Sequence, residues 1–430
     1  VLQATRSQLL YIFIKSKPLM PHLFGKVDSG GDKNKKTFYK KMKKKQRIMI
    51  VVGEISGDAH AAKLVQAMRK KAPDIDFEFF GATGKKMREI GVQTVVEADD
   101  FARVGIVEVA TALPMFLKVF RKVKKTAVKL KPDLVVLIDF PDFNLKLATA
   151  LKKRGFKIVY YISPQVWAWK QYRVKRIKKY VDLLLTILPF ENKWFAEQGF
   201  EKTKYVGNPL AGEVKPKFDK NIFCKKHGLE KDRPIISLLP GSRRNEIEKI
   251  LPKLIETAGL MSDSDPNLQF VIGLASIRKI EEVERAKSQV KTQGLSIPNT
   301  LITVKNETYE LINASDVAAV TSGTATLETA IIGTPLAIVY QVSKLNYQVL
   351  RRFISVENFG LVNLIAEKKI AKEFIQDDFT AGKLSQELFR LLENKANQEM
   401  RQQLIEIKKL LGDGGASEKA AEAILAEIDN

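Results

Sequence analysis

Short, nearly continuous apolar runs recur along this chain, and each gives way to a turn and then a helical stretch. Ile48–Val52, Phe77–Phe80, Leu134–Ile138, Ile158–Ile162 and Leu183–Leu188 form a first series. Tyr205-Val206-Gly207-Asn208-Pro209 closes it with a short strand and a turn, and a polar connector runs to about Arg233. The pattern then restarts at Ile235–Leu239 and continues through Leu268–Leu274, Leu301–Val304, Val317–Val320 and Leu336–Tyr340. Strands without polar alternation, separated by helices, predict parallel sheets covered on both faces. The expected fold class is therefore α/β, with two parallel-sheet domains facing a cleft and helices at the C-terminus. The expected boundaries are a basic extension at 1–46, a first domain at 47–209, a second at 210–400, and C-terminal helices at 401–430 that pack back on the first domain.

Composition narrows the chemistry. The chain has 430 residues with 45% apolar and 28% charged, the balance of a globular protein. It contains no apolar run of membrane-spanning length. The single cysteine, Cys224, excludes an intramolecular disulfide framework and fits a reducing compartment. The histidines are His22, His60 and His227, and no two are spaced as metal ligands, so no metal site is expected. The net charge of +23 favours anionic partners, either phosphates or an acidic membrane surface. The basic residues are dispersed and show no nucleic-acid-binding module, so nucleic acid is not expected as a partner. Residues 1–46 carry twelve Lys/Arg against Asp28 and Asp32. Met42 is read as the natural start, with the stretch before it an added extension; the rival reading is a basic targeting or membrane-contact tail.

In open α/β sheets, ligand groups gather beyond the carboxyl ends of the strands. The first strand ends in Gly53-Glu54-Ile55-Ser56-Gly57-Asp58, where Ser56, Gly57 and Asp58 either meet a substrate or form a plain turn with Asp58 as a helix cap. Asp139 sits where the run Leu134–Ile138 gives out into a turn that Pro141 forces, a place for a general base. Trp167 and Trp169 follow another strand, either as packing residues or as a wall for a sugar or acyl substrate. In the second half, Leu239-Pro240-Gly241-Ser242-Arg243 and Ser322-Gly323-Thr324-Ala325-Thr326-Leu327-Glu328 each close a strand and open a helix. Two such helix N-termini, one with an arginine, point to a diphosphate, with Glu328 placed for a ribose diol. Val109–Leu130 reads as an amphipathic helix. Lys118 and Lys122 border its apolar arc, and Met115 and Leu117 widen that arc beyond what sheet packing needs.

Together these motifs resemble the lipid-A-disaccharide synthase family. So do Gly105-Ile106-Val107-Glu108-Val109, Asp139-Phe140-Pro141-Asp142-Phe143-Asn144 and Ser163-Pro164-Gln165-Val166-Trp167-Ala168-Trp169. The resemblance runs from about Arg47 to the C-terminus. It implies a GT-B fold of two Rossmann-like domains, the second binding the UDP of the donor. It implies inverting transfer of 2,3-diacylglucosamine from UDP-2,3-diacylglucosamine to the 6-hydroxyl of 2,3-diacylglucosamine 1-phosphate (lipid X). Asp139 matches the family's base; Arg243, Ser322, Gly323, Thr324, Glu328 and Asn363 match donor contacts. It also implies no cofactor or metal, a capacity for homodimers, and peripheral attachment to the cytoplasmic face of an anionic inner membrane. Where the family often has Gly-His-Pro, this chain has Gly207-Asn208-Pro209, which excludes a titrating histidine there. The alternatives are another GT-B UDP-sugar enzyme, either an N-acetylglucosaminyltransferase or an epimerase, and a non-catalytic protein binding anionic membrane or nucleic acid.

Overall fold

Lys44–Val51 (β1) opens a parallel sheet in the computed structural model, which describes residues 44–98, 109–275, 278–343, 347 and 358–429. Ile75–Thr83 (β2), Gln93–Glu97 (β3), Leu134–Ile138 (β4), Ile158–Tyr161 (β5), Leu183–Thr186 (β6) and Thr203–Tyr205 (β7) complete it. The spatial order is β3-β2-β1-β4-β5-β6-β7. All five residues of β4 are buried, which is why its sequence lacks polar alternation. Its register against β1 pairs Ile48 with Leu134 and Val51 with Leu137.

A second parallel sheet comprises Ile235–Leu239 (β8), Gln269–Leu274 (β9), Leu301–Lys305 (β10), Val317–Thr321 (β11), Leu336–Tyr340 (β12) and Glu373–Ile375 (β13). Its order is β10-β9-β8-β11-β12-β13. Each sheet reverses its winding direction once, between β1 and β4 in the first and between β8 and β11 in the second. Crevices for ligands open at such reversals. The loops after these four strands are the ones that carry Gly53–Asp58, Asp139, Arg243 and Ser322–Thr324.

Each sheet has its own apolar core. The chain crosses between them twice, at Val206–Pro209 and near Gly412–Gly415. The crossings touch: the Asn208 amide donates to Leu411 O (3.1 Å) and the Tyr205 hydroxyl to Leu410 O (2.9 Å).

Two expected boundaries need correction. The strand β1 begins at Lys44, so Lys44, Lys45 and Gln46 belong to the first sheet and not to the extension. Residues 401–430 are not one unit either. Met400, Leu404, Ile407 and Leu411 of helix Asn394–Leu411 belong to the second core. Ala420, Ala421, Ala423 and Ile424 of helix Ala416–Asp429 belong to the first. Ion pairs Lys71–Glu422 (2.5 Å) and Lys157–Glu427 (3.0 Å) flank that return. Residues 1–43 and the motif Gly105–Glu108 lie outside the described residues.

Candidate active site

The turn after β4 is held in a conformation that ordinary residues avoid. Asp139 and Phe140 have φ of 49° and 50°, consecutive non-glycine residues in the left-handed region. Such strain persists only where neighbours over-determine it. Here the Asn144 side chain donates to Ile138 O (3.1 Å) and Asp139 O (2.8 Å), and the Tyr160 hydroxyl donates to Asp139 O (2.6 Å). Arg173 pairs with Asp142 one residue beyond the proline. On the other side lies Gly53. A Cβ there would fall 2.2 Å from the Phe140 ring, so the glycine of the β1 turn makes room for the turn after β4.

The Asp139 carboxyl faces a cavity of about 630 Å³ that Ser56, His60, Arg173, Asn208 and Glu213 also line. Burial, reinforced by the nearby charge of Glu54, pushes its pKa up to about 6, against the pull of the Phe140 amide. A carboxylate tuned this way is ionised near neutral pH yet basic enough to accept a proton from a hydroxyl.

The loop after β5 crosses the cleft. Trp167 is 3% exposed and packs into the second core, edge-on to Phe190 at 5.0 Å. Its indole N–H donates to Glu191 Oε1 (3.1 Å), while Glu191 Oε2 accepts the amides of Ile187 (3.1 Å) and Leu188 (3.0 Å). Burial pushes the Glu191 carboxyl up to about 7, against these hydrogen bonds. Trp167 is thus an anchored wall whose polar atom is already committed. Trp169, with the Lys170 ammonium 4.3 Å from its ring centroid, lies between the Asp139 cavity and a second one.

That second cavity, about 570 Å³, opens among the loops of the second sheet. Arg243 precedes helix Arg244–Ser264; its side chain is 78% exposed and 3.2 Å from Glu246. Gly323 precedes helix Thr324–Ile332, with Gly323 and Thr324 exposed. The Ser322 hydroxyl donates to Phe359 O (3.0 Å), fixing the turn. Gly323 and Thr324 open their helix at the cavity wall and offer amides to an anion, whereas at the other helix Glu246 Oε2 already accepts the amides of Ser242 (3.2 Å) and Arg243 (3.1 Å), leaving the exposed Arg243 side chain as its contribution. Glu328 sits one turn in; burial raises its pKa, opposed by the Tyr309 hydroxyl 3.4 Å away. Gln165, Trp169, Thr324, Glu328 and Leu361 line both cavities, which therefore adjoin.

Not every expected site residue belongs here. The Asp58 carboxylate is 3% exposed and accepts the amides of Gly84 (2.9 Å), Lys86 (2.7 Å) and Met87 (3.2 Å). It caps helix Lys85–Glu89 rather than meeting a substrate. Gly57 is buried against Val52 and lines neither cavity. Asn363 is fully buried, and both ends of its amide are used. Nδ2 donates to Ala371 O (2.7 Å) and Glu373 (2.8 Å), and Oδ1 accepts Ile370 N (2.8 Å) and Ala371 N (2.9 Å). It fastens the loop before β13 and has no capacity left for a donor. Asn208 caps helix Pro209–Glu213 through Leu210 N (3.0 Å) and lines the Asp139 cavity. In helix Val109–Leu130, Leu117 is 45% exposed and Lys118 and Lys122 are exposed. Met115, expected outside the packing stripe, packs partly against the first core.

Sequence reasoning missed His60, Arg173, Glu191 and Tyr309, all on the Asp139 cavity. Their signal was weak. Glu191 is the one that a stricter rule finds, because it lies just beyond the carboxyl end of β6. His60 has its pKa lowered, chiefly by burial, against the opposing charge of Glu213.

Paired parallel sheets whose reversal loops meet across one cleft, one set offering donors to an anion and the other carrying a desolvated carboxyl, define the GT-B architecture. Solved structures share that fold. A UDP-GlcNAc 2-epimerase from Neisseria meningitidis bound to UDP-GlcNAc has a TM-score of 0.57 at 12% identity, covering 89% of this chain and 100% of that one. The calicheamicin glycosyltransferase CalG4 has a TM-score of 0.56 at 14% identity, covering 90% and 99%. Sequence goes further. Residues 48–428 match the family model described as lipid-A-disaccharide synthetase. The lipid-A-disaccharide synthase of Trichlorobacter lovleyi is 39% identical over 385 residues, 89% of this chain and 98% of its own. The chain belongs to the lipid-A-disaccharide synthase family.

Proposed function

We propose that the chain transfers the 2,3-diacylglucosaminyl group of UDP-2,3-diacylglucosamine to the 6-hydroxyl of 2,3-diacylglucosamine 1-phosphate. The acceptor and its lipid chains lie in the Asp139 cavity, and the UDP lies in the second. The Asp139 carboxylate takes the proton of the 6-hydroxyl as that oxygen bonds to the anomeric carbon. The bond from that carbon to the β-phosphate oxygen breaks, and its electron pair leaves with UDP. One in-line attack inverts the anomeric centre, so one base suffices and no covalent sugar–enzyme intermediate forms. Arg243 and the amides of Gly323 and Thr324 take up the charge that grows on the diphosphate, and Glu328 receives the ribose hydroxyls. Charge stabilisation of this kind needs no metal. The products are the β-1,6 disaccharide 1-phosphate and UDP.

The observation that carries this reading is the adjacency of the two cavities. A carboxyl raised to about 6 by burial lines one, two helix N-termini with an arginine line the other, and Trp169 and Glu328 stand on their common border. Both substrates are lipids, so the enzyme works at a membrane surface. Among the described residues no helix is long and apolar enough to cross one. Helix Val109–Leu130, with Leu117, Lys118 and Lys122 outward, is the proposed contact with the anionic inner leaflet. The test is mass spectrometry of the purified chain mixed with both lipids and EDTA. The expected products are the disaccharide 1-phosphate and UDP in equal amounts; UDP release without disaccharide, or a need for added Mg²⁺, contradicts the reading.

A further inference from the structure

Arg173 has more hydrogen-bonding capacity than the fold uses. It ends the single turn Gln171–Arg173 and is 5% exposed, a charge taken almost wholly out of water. Its acceptor among the described residues is Asp142, which takes one bond from Nη2. A guanidinium has five N–H donors. The residue lines the same cavity as Asp139, so the remaining donors have a ligand space beside them.

The pairing is also lopsided. Asp142 is 73% exposed, while Arg173 is buried. The Lys170 ammonium stands 3.9 Å from the same carboxylate, held over the Trp169 ring. Two cations thus converge on one anion, and the anion is the member that water can most readily reclaim. A buried charge is costly when its partner is lost, so a fold serving stability alone does best with the carboxylate sheltered too. The opposite arrangement leaves a desolvated guanidinium facing the cavity, with a partner that yields to a stronger anion.

We infer that Arg173, with Lys170 beside it, is the subsite for the phosphomonoester of the acceptor sugar. The inference rests on the transfer reaction proposed above. A phosphate dianion meets the guanidinium fork through two parallel hydrogen bonds, which Asp142 with its single bond does not match. A phosphate anchored on Arg173 holds the same sugar in the cavity that Asp139 lines. Arg173 is accordingly a specificity-determining residue. It distinguishes a sugar 1-phosphate from the same sugar without phosphate, and so sets which of two chemically similar lipids is the acceptor.

The test compares two acceptors in the full chain: diacylglucosamine 1-phosphate and its uncharged 1-O-methyl glycoside. Charged hydrogen bonds of this kind correspond to a preference of about 10- to 100-fold in kcat/KM for the phosphate acceptor in the unaltered protein. Arg173→Gln should erase that preference, lowering kcat/KM for the phosphate acceptor about 10- to 100-fold more than for the methyl glycoside, and Lys170→Gln should erase part of it. Equal slowing of both acceptors by Arg173→Gln means that the arginine only holds its loop, and overturns the inference. So does an unaltered protein that uses both acceptors equally well. If neither acceptor is used, the proposed reaction itself fails. Should Arg173→Gln not fold, Lys170→Gln and competition by inorganic phosphate decide. Competition against the acceptor is expected; competition against the UDP donor alone overturns the subsite.

Discussion

The two banks of the cleft hold their functional groups in opposite ways. On the first, the candidate base is desolvated and fixed before any ligand arrives: Asp139 is strained into a left-handed turn that Asn144 and Tyr160 lock. On the second, the groups are exposed and waiting. The Arg243 side chain is 78% exposed, and Gly323 and Thr324 open a helix at the surface. The chemistry explains the contrast. A base needs one orientation and a shifted pKa, which burial and rigid backbone supply. A diphosphate needs donors that solvent still reaches, which the exposed helix opening at Gly323 and Thr324 supplies.

Substitutions on the first bank should therefore separate turnover from nucleotide affinity, and those on the second should move the two together. The largest effect is expected from Asp139→Asn, which should lower kcat about 10²–10⁴-fold and leave UDP affinity by calorimetry unchanged. It should also stabilise the fold at pH 8 by about 1–3 kcal/mol. The sign follows from the raised pKa. The folded chain keeps this proton to higher pH than the unfolded one, so ionisation costs stability as pH rises from about 4 to 6, and the amide has nothing to ionise. A variant no more stable than its parent means that Asp139 is not desolvated.

Next in size is Gly53→Ala. Its methyl group displaces Phe140 and with it Asp139, so kcat should fall about 100-fold, with a lower Tm and unaltered UDP affinity. Wild-type turnover in this variant means that the β4 turn tolerates movement. On the other bank, Arg243→Ala should weaken UDP binding about 10- to 100-fold and lower turnover in parallel. Weakened turnover with intact UDP binding moves Arg243 off the diphosphate. The smallest effect should come from Leu117→Ser, a few-fold drop in sedimentation with anionic vesicles, since one apolar side chain contributes part of an interfacial contact. Undiminished binding assigns the membrane contact to another surface.

How much of this was legible in the sequence follows the same division. The sheets were legible because buried parallel strands such as Leu134–Ile138 write themselves as unbroken apolar runs. β3 and β13 were not, since Gln93–Glu97 and Glu373–Ile375 are edge strands, short and partly polar. The placing of Asp139, Arg243 and Ser322 just beyond strand ends was legible because that position is a local property. Asp58 and Asn363 were misread because what consumes their hydrogen bonds comes from elsewhere in the fold. Gly84, for example, lies 26 residues from Asp58. Arg173 lies among Lys170, Lys175, Arg176, Lys178 and Lys179, and only burial distinguishes it from them.

If Asp139 is the base on one bank and the other bank holds the nucleotide, turnover and UDP affinity respond differently to pH. The pH dependence of kcat/KM for transfer, measured alongside UDP affinity over pH 5 to 8, tests it most directly. A single acidic limb with a midpoint near 6 is expected, where the Asp139 carboxyl gains its proton, with a UDP affinity that does not follow that limb. A rate that stays flat down to pH 5, or a UDP affinity that falls along the same limb, contradicts it.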